Sequence, residues 1–247
     1  MNVLIAMPAY AGMTNETVRS VLRLQAHLLA RGATVSTAVH AMAEIARSRN
    51  ILASLFYENA ELTHLLFVDS DMAFDPEVVQ RLVEVDKPLV GCIYPKRQIN
   101  LDAVIAAART HEDRDLIVAS GLEFVIHHSG EALSVDDGLC AVDGVGMGLC
   151  LIAREVFTRL HETGRLSQDW SAARGRLKSG PVFGFFDPIA TDRGLMAEDL
   201  SFCRRWRTLC GGEVFGLADQ AVGHVGEMTF RGRFIDALEA HRLSRGD

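Results

Sequence analysis

The stretch Leu65-Leu66-Phe67-Val68-Asp69-Ser70-Asp71-Met72 decides how this chain is read. Four consecutive apolar residues with no polar alternation predict a strand buried on both faces, which belongs in a parallel sheet covered by helices. That strand delivers two carboxylates, one residue apart, at its C-terminal end. Like charges this close repel, and desolvating them is costly without a counter-charge. A divalent cation with its preference for oxygen ligands is the simplest counter-charge. Ligands of open α/β sheets also bind beyond the C-terminal ends of strands. The motif therefore predicts a metal-assisted site for an anionic ligand, a diphosphate before others.

The flanking sequence supplies the rest of an alternating α/β pattern. Val3 to Met7 is a short apolar strand stopped by Pro8. A helix follows from about Asn15 to Arg31, with apolar positions Val18, Val21, Leu22, Leu28 and Leu29 and with Gly32 where a C-cap belongs. Thr34 to Val39 reads as strand two, Ala41 to Glu58 as a helix and His64 to Val68 as strand three. Asp75-Pro76-Glu77 carries the N-cap, first-turn proline and early acid of another helix, so Asp75 is read as a cap and not as part of the site. Leu89 to Tyr94 is a further strand leading to Pro95-Lys96-Arg97.

Beyond residue 98 the pattern loosens. Leu116 to His128 and Leu139 to Ala153 read as longer, partly alternating strands interrupted by glycines. Glu155 to Leu160 and Glu198 to Leu209 read as helices, Glu213 to Leu217 as a last strand and Phe234 to Leu243 as a closing helix. Trp170 to Gly180 has the polar, glycine-containing composition of a mobile loop. The Asp136–Gly148 stretch lacks the ligand spacing of an EF-hand. Gly144-Val145-Gly146-Met147-Gly148 lacks the spacing and the following helix of a dinucleotide fingerprint. Its glycines are read as letting the backbone approach a bound molecule closely, with Asp143 as a candidate hydroxyl ligand.

Composition narrows the class. The 247 residues, 49% hydrophobic and 23% charged, suffice for one large globular domain. A net charge of −7 argues against a general nucleic-acid binder. Five scattered cysteines without zinc-knuckle spacing are read as reduced, buried thiols, in keeping with a cytoplasmic protein. The N-terminus lacks the basic region of a signal peptide and no apolar run is of bilayer length, so the expectation is a protein without a transmembrane segment. Phe230-Arg231-Gly232-Arg233-Phe234, with its aromatics and cations, is the candidate for contact with a membrane surface or a lipid phosphate; an ordinary helix entry is the plainer reading.

Two distant features join the DxD motif. Ala197-Glu198-Asp199-Leu200-Ser201-Phe202-Cys203 sets an acid pair at a helix start, and Gly223-His224-Val225-Gly226 sets a histidine after the last strand. With Pro8-Ala9-Tyr10 after strand one and the Arg49-Asn50 pair, the order and spacing resemble those of GT-A fold glycosyltransferases of the family 2 type over nearly the whole length. The resemblance implies a single GT-A domain over 1–247: a Rossmann-like, mostly parallel sheet flanked by helices, with a smaller antiparallel acceptor-side sheet. Residues 1–98 would form the nucleotide-binding half and 99–247 the acceptor-binding half.

The same resemblance implies roles. Asp71 would bind Mn²⁺ or Mg²⁺, Asp69 the ribose or a metal-bound water, and His224 would complete the coordination. Ser70 is grouped with the donor-binding residues. Tyr10 would stack on the base in a slot formed with Pro8 and Ala9. Arg49 would approach the nucleotide or its phosphates, Asn50 would donate to the base, and Lys96 and Arg97 would meet the phosphates or sugar. Asp199 would be the general base of an inverting transfer, with Glu198 holding the acceptor or tuning Asp199 by like-charge proximity. Trp170, Phe185 or Phe186 would stack on a sugar. The donor would be a UDP- or GDP-sugar and the acceptor a glycan or lipid-linked precursor, with no nucleic-acid partner.

Plainer readings stand beside each role. The two aspartates are also turn residues, Glu198 and Asp199 also favour a helix N-terminus, His224 is also a packed histidine, and Tyr10, Arg49, Asn50, Lys96 and Arg97 are also ordinary surface groups. Two rival functions are a nucleotide-sugar-binding module without catalysis and a phosphatase of the haloacid dehalogenase type. The latter normally carries its DxD after the first strand, with Thr or Val where this chain has Ala73. Sugar nucleotidyltransferases share the architecture, but no glycine-rich basic loop follows strand one.

Overall fold

The computed structural model describes residues 1–130, 132–173, 175, 177–227 and 234–235. The first half alternates strands and helices: β1 (Asn2–Pro8), α1 (Asn15–Ala30), β2 (Thr34–His40), α2 (Ile45–Glu58), β3 (His64–Val68), β4 (Met72–Ala73), α3 (Pro76–Glu84), β5 (Leu89–Cys92) and β6 (Pro95–Ile99). An excursion follows, with α4 (Leu101–Ala107), α5 (Arg114–Ala119), β7 (Leu122–Phe124) and β8 (Ile126–His127). The chain re-enters the body as β9 (Leu139–Val142), β10 (Gly144–Val145), β11 (Leu149–Ala153) and α6 (Arg154–Glu162). It then forms β12 (Gln168–Asp169), α7 (Trp170–Ala173), β13 (Val182–Phe183), β14 (Ala190–Thr191), β15 (Gly194–Leu195), α8 (Glu198–Cys210), β16 (Val214–Leu217) and β17 (Gly223–His224).

Seven strands make the central sheet in the order β2-β1-β3-β11-β5-β16-β9. β1 is parallel to β2 and β3, and β5 to β16. β11 runs antiparallel between β3 and β5, and β9 runs antiparallel along β16. Five strands thus share one direction, giving the mostly parallel, Rossmann-like sheet the sequence predicts. Five two-stranded antiparallel pairs stand around it in place of one smaller sheet.

The alternation of β3 explains its unbroken hydrophobicity. Leu65 and Phe67 pack with Leu52 and Phe56 of α2, Phe157 and Leu160 of α6, and Phe202 and Trp206 of α8. Leu66 and Val68 face the opposite way, into a core with Val21, Leu24 and Leu28 of α1 and Val78, Val79 and Leu82 of α3. Successive side chains of a strand point to opposite faces, so a strand covered on both has no polar position.

Several sequence expectations are corrected. Residues 116–119 belong to α5 and not to a strand, because Asp113 caps a helix there by accepting from the N–H groups of Asp115 and Leu116. The buried face of α1 is Thr17, Ser20, Val21, Leu24 and Leu28, with Leu22 and Leu29 exposed. α2 begins at Ile45, four residues later than predicted. Asp75 holds the N-cap position of α3 without capping it, and its carboxylate pairs with Arg23 at 2.9 Å instead. The Trp170–Gly180 segment is anchored in part: Ala172 and Ala173 are buried beside Ile51, and the Lys178 and Ser179 N–H groups donate to Glu58. All five cysteines are free, four of them buried. No helix among the described residues is long and apolar enough to cross a membrane. The Phe230–Phe234 segment and the predicted closing helix lie outside the described residues, apart from the exposed Phe234 and Ile235.

Candidate functional site

β1, β3 and β5 end on one edge of the sheet, and α2 and α8 both start there. The turn after β3 is pinned from two sides. The Asp69 N–H donates to the Gly148 carbonyl (2.9 Å), and the Ser70 carbonyl accepts from Thr14 N–H (2.9 Å). β4 then pairs antiparallel with β17, setting His224 opposite Met72, while Val225 N–H donates to the Asp71 carbonyl (2.7 Å). This short pairing brings His224 Nε2 to 3.4 Å from Asp71 Oδ2. His224 Nδ1 lies 2.9 Å from the Pro95 carbonyl, which only accepts, so Nδ1 carries the proton and Nε2 is the atom turned to Asp71. Arg97 Nη1 reaches the same Asp71 Oδ2 at 2.9 Å.

Beside this cluster lies a buried arginine. Arg49 of α2 is 3% exposed; its Nη2 donates to both carboxylate oxygens of Asp69 (2.9 and 3.1 Å) and its Nε to Glu198 Oε1 (3.2 Å). The guanidinium carbon lies 5.1 Å from the centre of the Phe67 ring. Nη1 is buried without a hydrogen-bond partner among the described residues. Burial disfavours the Arg49 charge, but Asp69 and Glu198 outweigh it and raise the pKa above the ordinary value. Arg49 thus ties the first acid of DxD to the first acid of the Glu198-Asp199 pair across 149 residues of sequence.

Asp199, the second residue of α8, is half-buried. Burial raises its proton affinity first and the neighbouring Glu198 charge raises it further, against the Leu200 N–H that donates to its Oδ1 at 2.7 Å. Tyr94 stands between the two clusters. Its ring meets His224 edge-on with centroids 5.3 Å apart, and its hydroxyl accepts from Gly148 N–H at 3.2 Å. Burial raises the phenol pKa first, and the charges of Asp69 and Asp199 add to it, so the hydroxyl stays protonated.

Tyr94 is the residue that sequence reasoning missed. The signal was an aromatic two residues beyond β5, just ahead of Pro95, together with the small residues that face it. A side chain on Gly146 would strike its hydroxyl, and one on Gly148 would come within 2.7 Å of its ring. Gly144 similarly makes room for Leu200. These three glycines thus make room for Tyr94 and Leu200.

Other expected residues are distributed as follows. Pro8 and Ala9 are buried, the latter donating its N–H to the His40 carbonyl, while Tyr10 is 70% exposed at the same edge. Asn50 is buried, donating to Asp187 Oδ1 and accepting from Phe186 N–H, each at 2.7 Å. Lys96 pairs with Glu123 at the surface. Phe185 and Phe186 are wholly buried, Phe186 stacked on Phe202, and so cannot stack on a sugar; Trp170 is exposed. Asp143 accepts from Ser129 N–H and pairs with Arg207 in a groove of about 580 Å³ along α8, which Leu200, Arg204 and His127 also line.

Among the described residues no three His, Cys, Asp or Glu side chains converge as a metal-binding group. Asp71 and His224 stand together, whereas Asp69 is turned to Arg49. One carboxylate and one imidazole whose far nitrogen is fixed by a carbonyl fit a divalent cation whose remaining ligands are oxygens of another molecule.

No protein family and no curated protein sequence matches the chain. Among solved structures it is similar to A197 from STIV, with a TM-score of 0.47 and 14% identity over 94% of this chain and 98% of that one. It is also similar to a glycosyltransferase involved in the glycosylation of the major capsid of PBCV-1, with a TM-score of 0.32 and 9% identity over 66% of each chain.

Proposed function

We propose that this chain is a metal-dependent glycosyltransferase that moves a sugar from a nucleoside-diphosphate sugar to a hydroxyl of a glycan or lipid-linked acceptor, with inversion. The observation that carries this reading is the convergence of Asp69-Ser70-Asp71, Glu198-Asp199 and His224 on one sheet edge around Tyr94 and Arg49. An anion site and a raised-affinity carboxylate side by side are what a displacement at an anomeric carbon requires.

In this reading Asp199 takes the proton from the acceptor hydroxyl. A carboxylate whose proton affinity is raised by burial and by Glu198 is a better acceptor than an exposed one. Glu198, paired with Arg49 at 3.2 Å, is the neighbouring charge that adds to that affinity. Arg49 also fixes Asp69, whose outer oxygen face is left for the ribose. Tyr10 offers its exposed ring to the base. Asp71 and His224 would hold Mn²⁺ or Mg²⁺, which when bound neutralises charge on the departing nucleoside diphosphate. Arg97, beside them, is placed for the diphosphate.

The test uses UDP- and GDP-sugars with and without Mn²⁺, following melting temperature and release of nucleoside diphosphate. Stabilisation by nucleotide plus metal and turnover are expected. Asp199→Asn should keep donor binding while turnover falls by about 10²- to 10⁴-fold. Binding without turnover in the wild type would leave only a binding module. Release of inorganic phosphate from phosphoesters instead would favour the phosphatase. If neither nucleotide nor metal stabilised the protein, the reading would fail.

A further inference from the structure

Arg97, placed for the diphosphate in the reading above, is bound to Asp71 in this structure. It is half-exposed, with 54% of its side chain accessible, whereas Asp71 and His224 are 21% and 16% accessible. Its Nη1 binds the Asp71 Oδ2 that also faces His224 Nε2, so a guanidinium lies where a divalent cation shared by Asp71 and His224 would compete for that oxygen. The stem of Arg97 crosses Gly226, where an added Cβ would come within 2.8 Å of Cδ and 3.1 Å of Cγ. β6 therefore does two things at once: the Pro95 carbonyl orients His224, and two residues later Arg97 supplies a positive charge to Asp71.

We propose that Arg97 is an internal counter-cation that occupies Asp71 before the donor arrives and transfers to the donor diphosphate when a metal ion takes its place, so that metal and nucleoside diphosphate bind cooperatively through it. The inference rests on the donor-site reading above. The charge balance drives it. A cation entering beside Asp71 meets a guanidinium 2.9 Å from the shared oxygen, and that repulsion weakens metal binding until an anion draws the guanidinium away. A diphosphate is such an anion, and guanidinium is well matched to phosphate oxygens. An ion pair this exposed contributes little to stability and exchanges readily. By reciprocity, whatever factor the diphosphate adds to metal affinity the metal adds to diphosphate affinity.

The decisive experiment measures Mn²⁺ binding to the full chain by titration calorimetry, without nucleotide, and UDP and GDP binding at saturating Mn²⁺, for wild type and Arg97→Gln. Removing the competitor should tighten Mn²⁺ binding without nucleotide by about 5-fold or more, while nucleotide binding weakens by about 10- to 100-fold, the span of ordinary coupling energies. Those opposite signs distinguish it from other roles. An arginine that only contacts phosphate weakens nucleotide alone, and one that only braces the loop weakens both; either result overturns the proposal. Gly226→Ala, which crowds the Arg97 stem, should move both affinities in the same directions by a smaller factor and covers the case in which Arg97→Gln misfolds. If neither protein binds Mn²⁺ with or without nucleotide, the donor-site reading itself falls, and the proposal with it.

Discussion

Arg49 concentrates the energetics of the site in one side chain. It is almost wholly buried, and the carboxylates it serves, Asp69 and Glu198, keep only 27% and 15% of their side-chain surface. Removing one partner of a buried ion pair leaves the other charges uncompensated, at a cost of about 3–5 kcal/mol. Arg49→Ala should therefore lower the urea midpoint by that much stability, and Arg49→Lys, which lacks the two-armed fork, should recover only part of it. Equal stability of wild type and Arg49→Ala would show that the network is not a structural tie. Asp199 yields a prediction in pH. Its native-state proton affinity is raised, by burial first and Glu198 second, so its ionisation costs stability as pH rises through the native pKa. Activity that needs the ionised form should then lose its acid limb at a higher pH than an ordinary carboxylate would give. Glu198→Gln removes the second cause and should shift the acid limb of kcat/KM to lower pH; an unmoved limb would separate Asp199 from the reaction.

At the level of elements, the approach of β11 to β5 is set by glycine. Gly148 precedes β11, donates to the Tyr94 hydroxyl and accepts from Asp69 N–H, and has no room for a side chain against the Tyr94 ring. Gly148→Ala should cost about 1–3 kcal/mol by overpacking and displace Tyr94, visible as a changed near-ultraviolet circular dichroism signal; an unchanged spectrum and midpoint would mean that the backbone gives way freely. The first elements were legible because each carries its own local instructions: Gly32 closes α1, and the apolar run of β3 is cut off by the charged turn Asp69-Ser70-Asp71. Residues 116–119 were not, because four apolar side chains in a row fit either state and the deciding cue was Asp113, one hydrogen bond away from the pattern.

For the molecule as a whole, the DxD motif, the acid pair and the late histidine were legible as chemistry, since each sits at the end of an element whose type the sequence states. What held them together was not. The burial of Arg49 depends on Phe67, Asp69 and Glu198 meeting in space, and no periodicity within α2 announces partners 20 and 149 positions away. Tyr94 was hidden for the same reason. The direction of β11 was equally silent, because an apolar strand looks alike read either way. That strand has a consequence for how the protein is made. β3 and β5 are never neighbours; β3 finds its second partner, and β5 its first, only in residues 149–153, and β5 gains its second, β16, later still. As the chain leaves the ribosome, a three-stranded sheet with one greasy margin must wait through roughly eighty further residues of synthesis, some seconds to tens of seconds, before that margin is covered. The nascent protein is thus most in need of a chaperone before the second half of its central sheet exists.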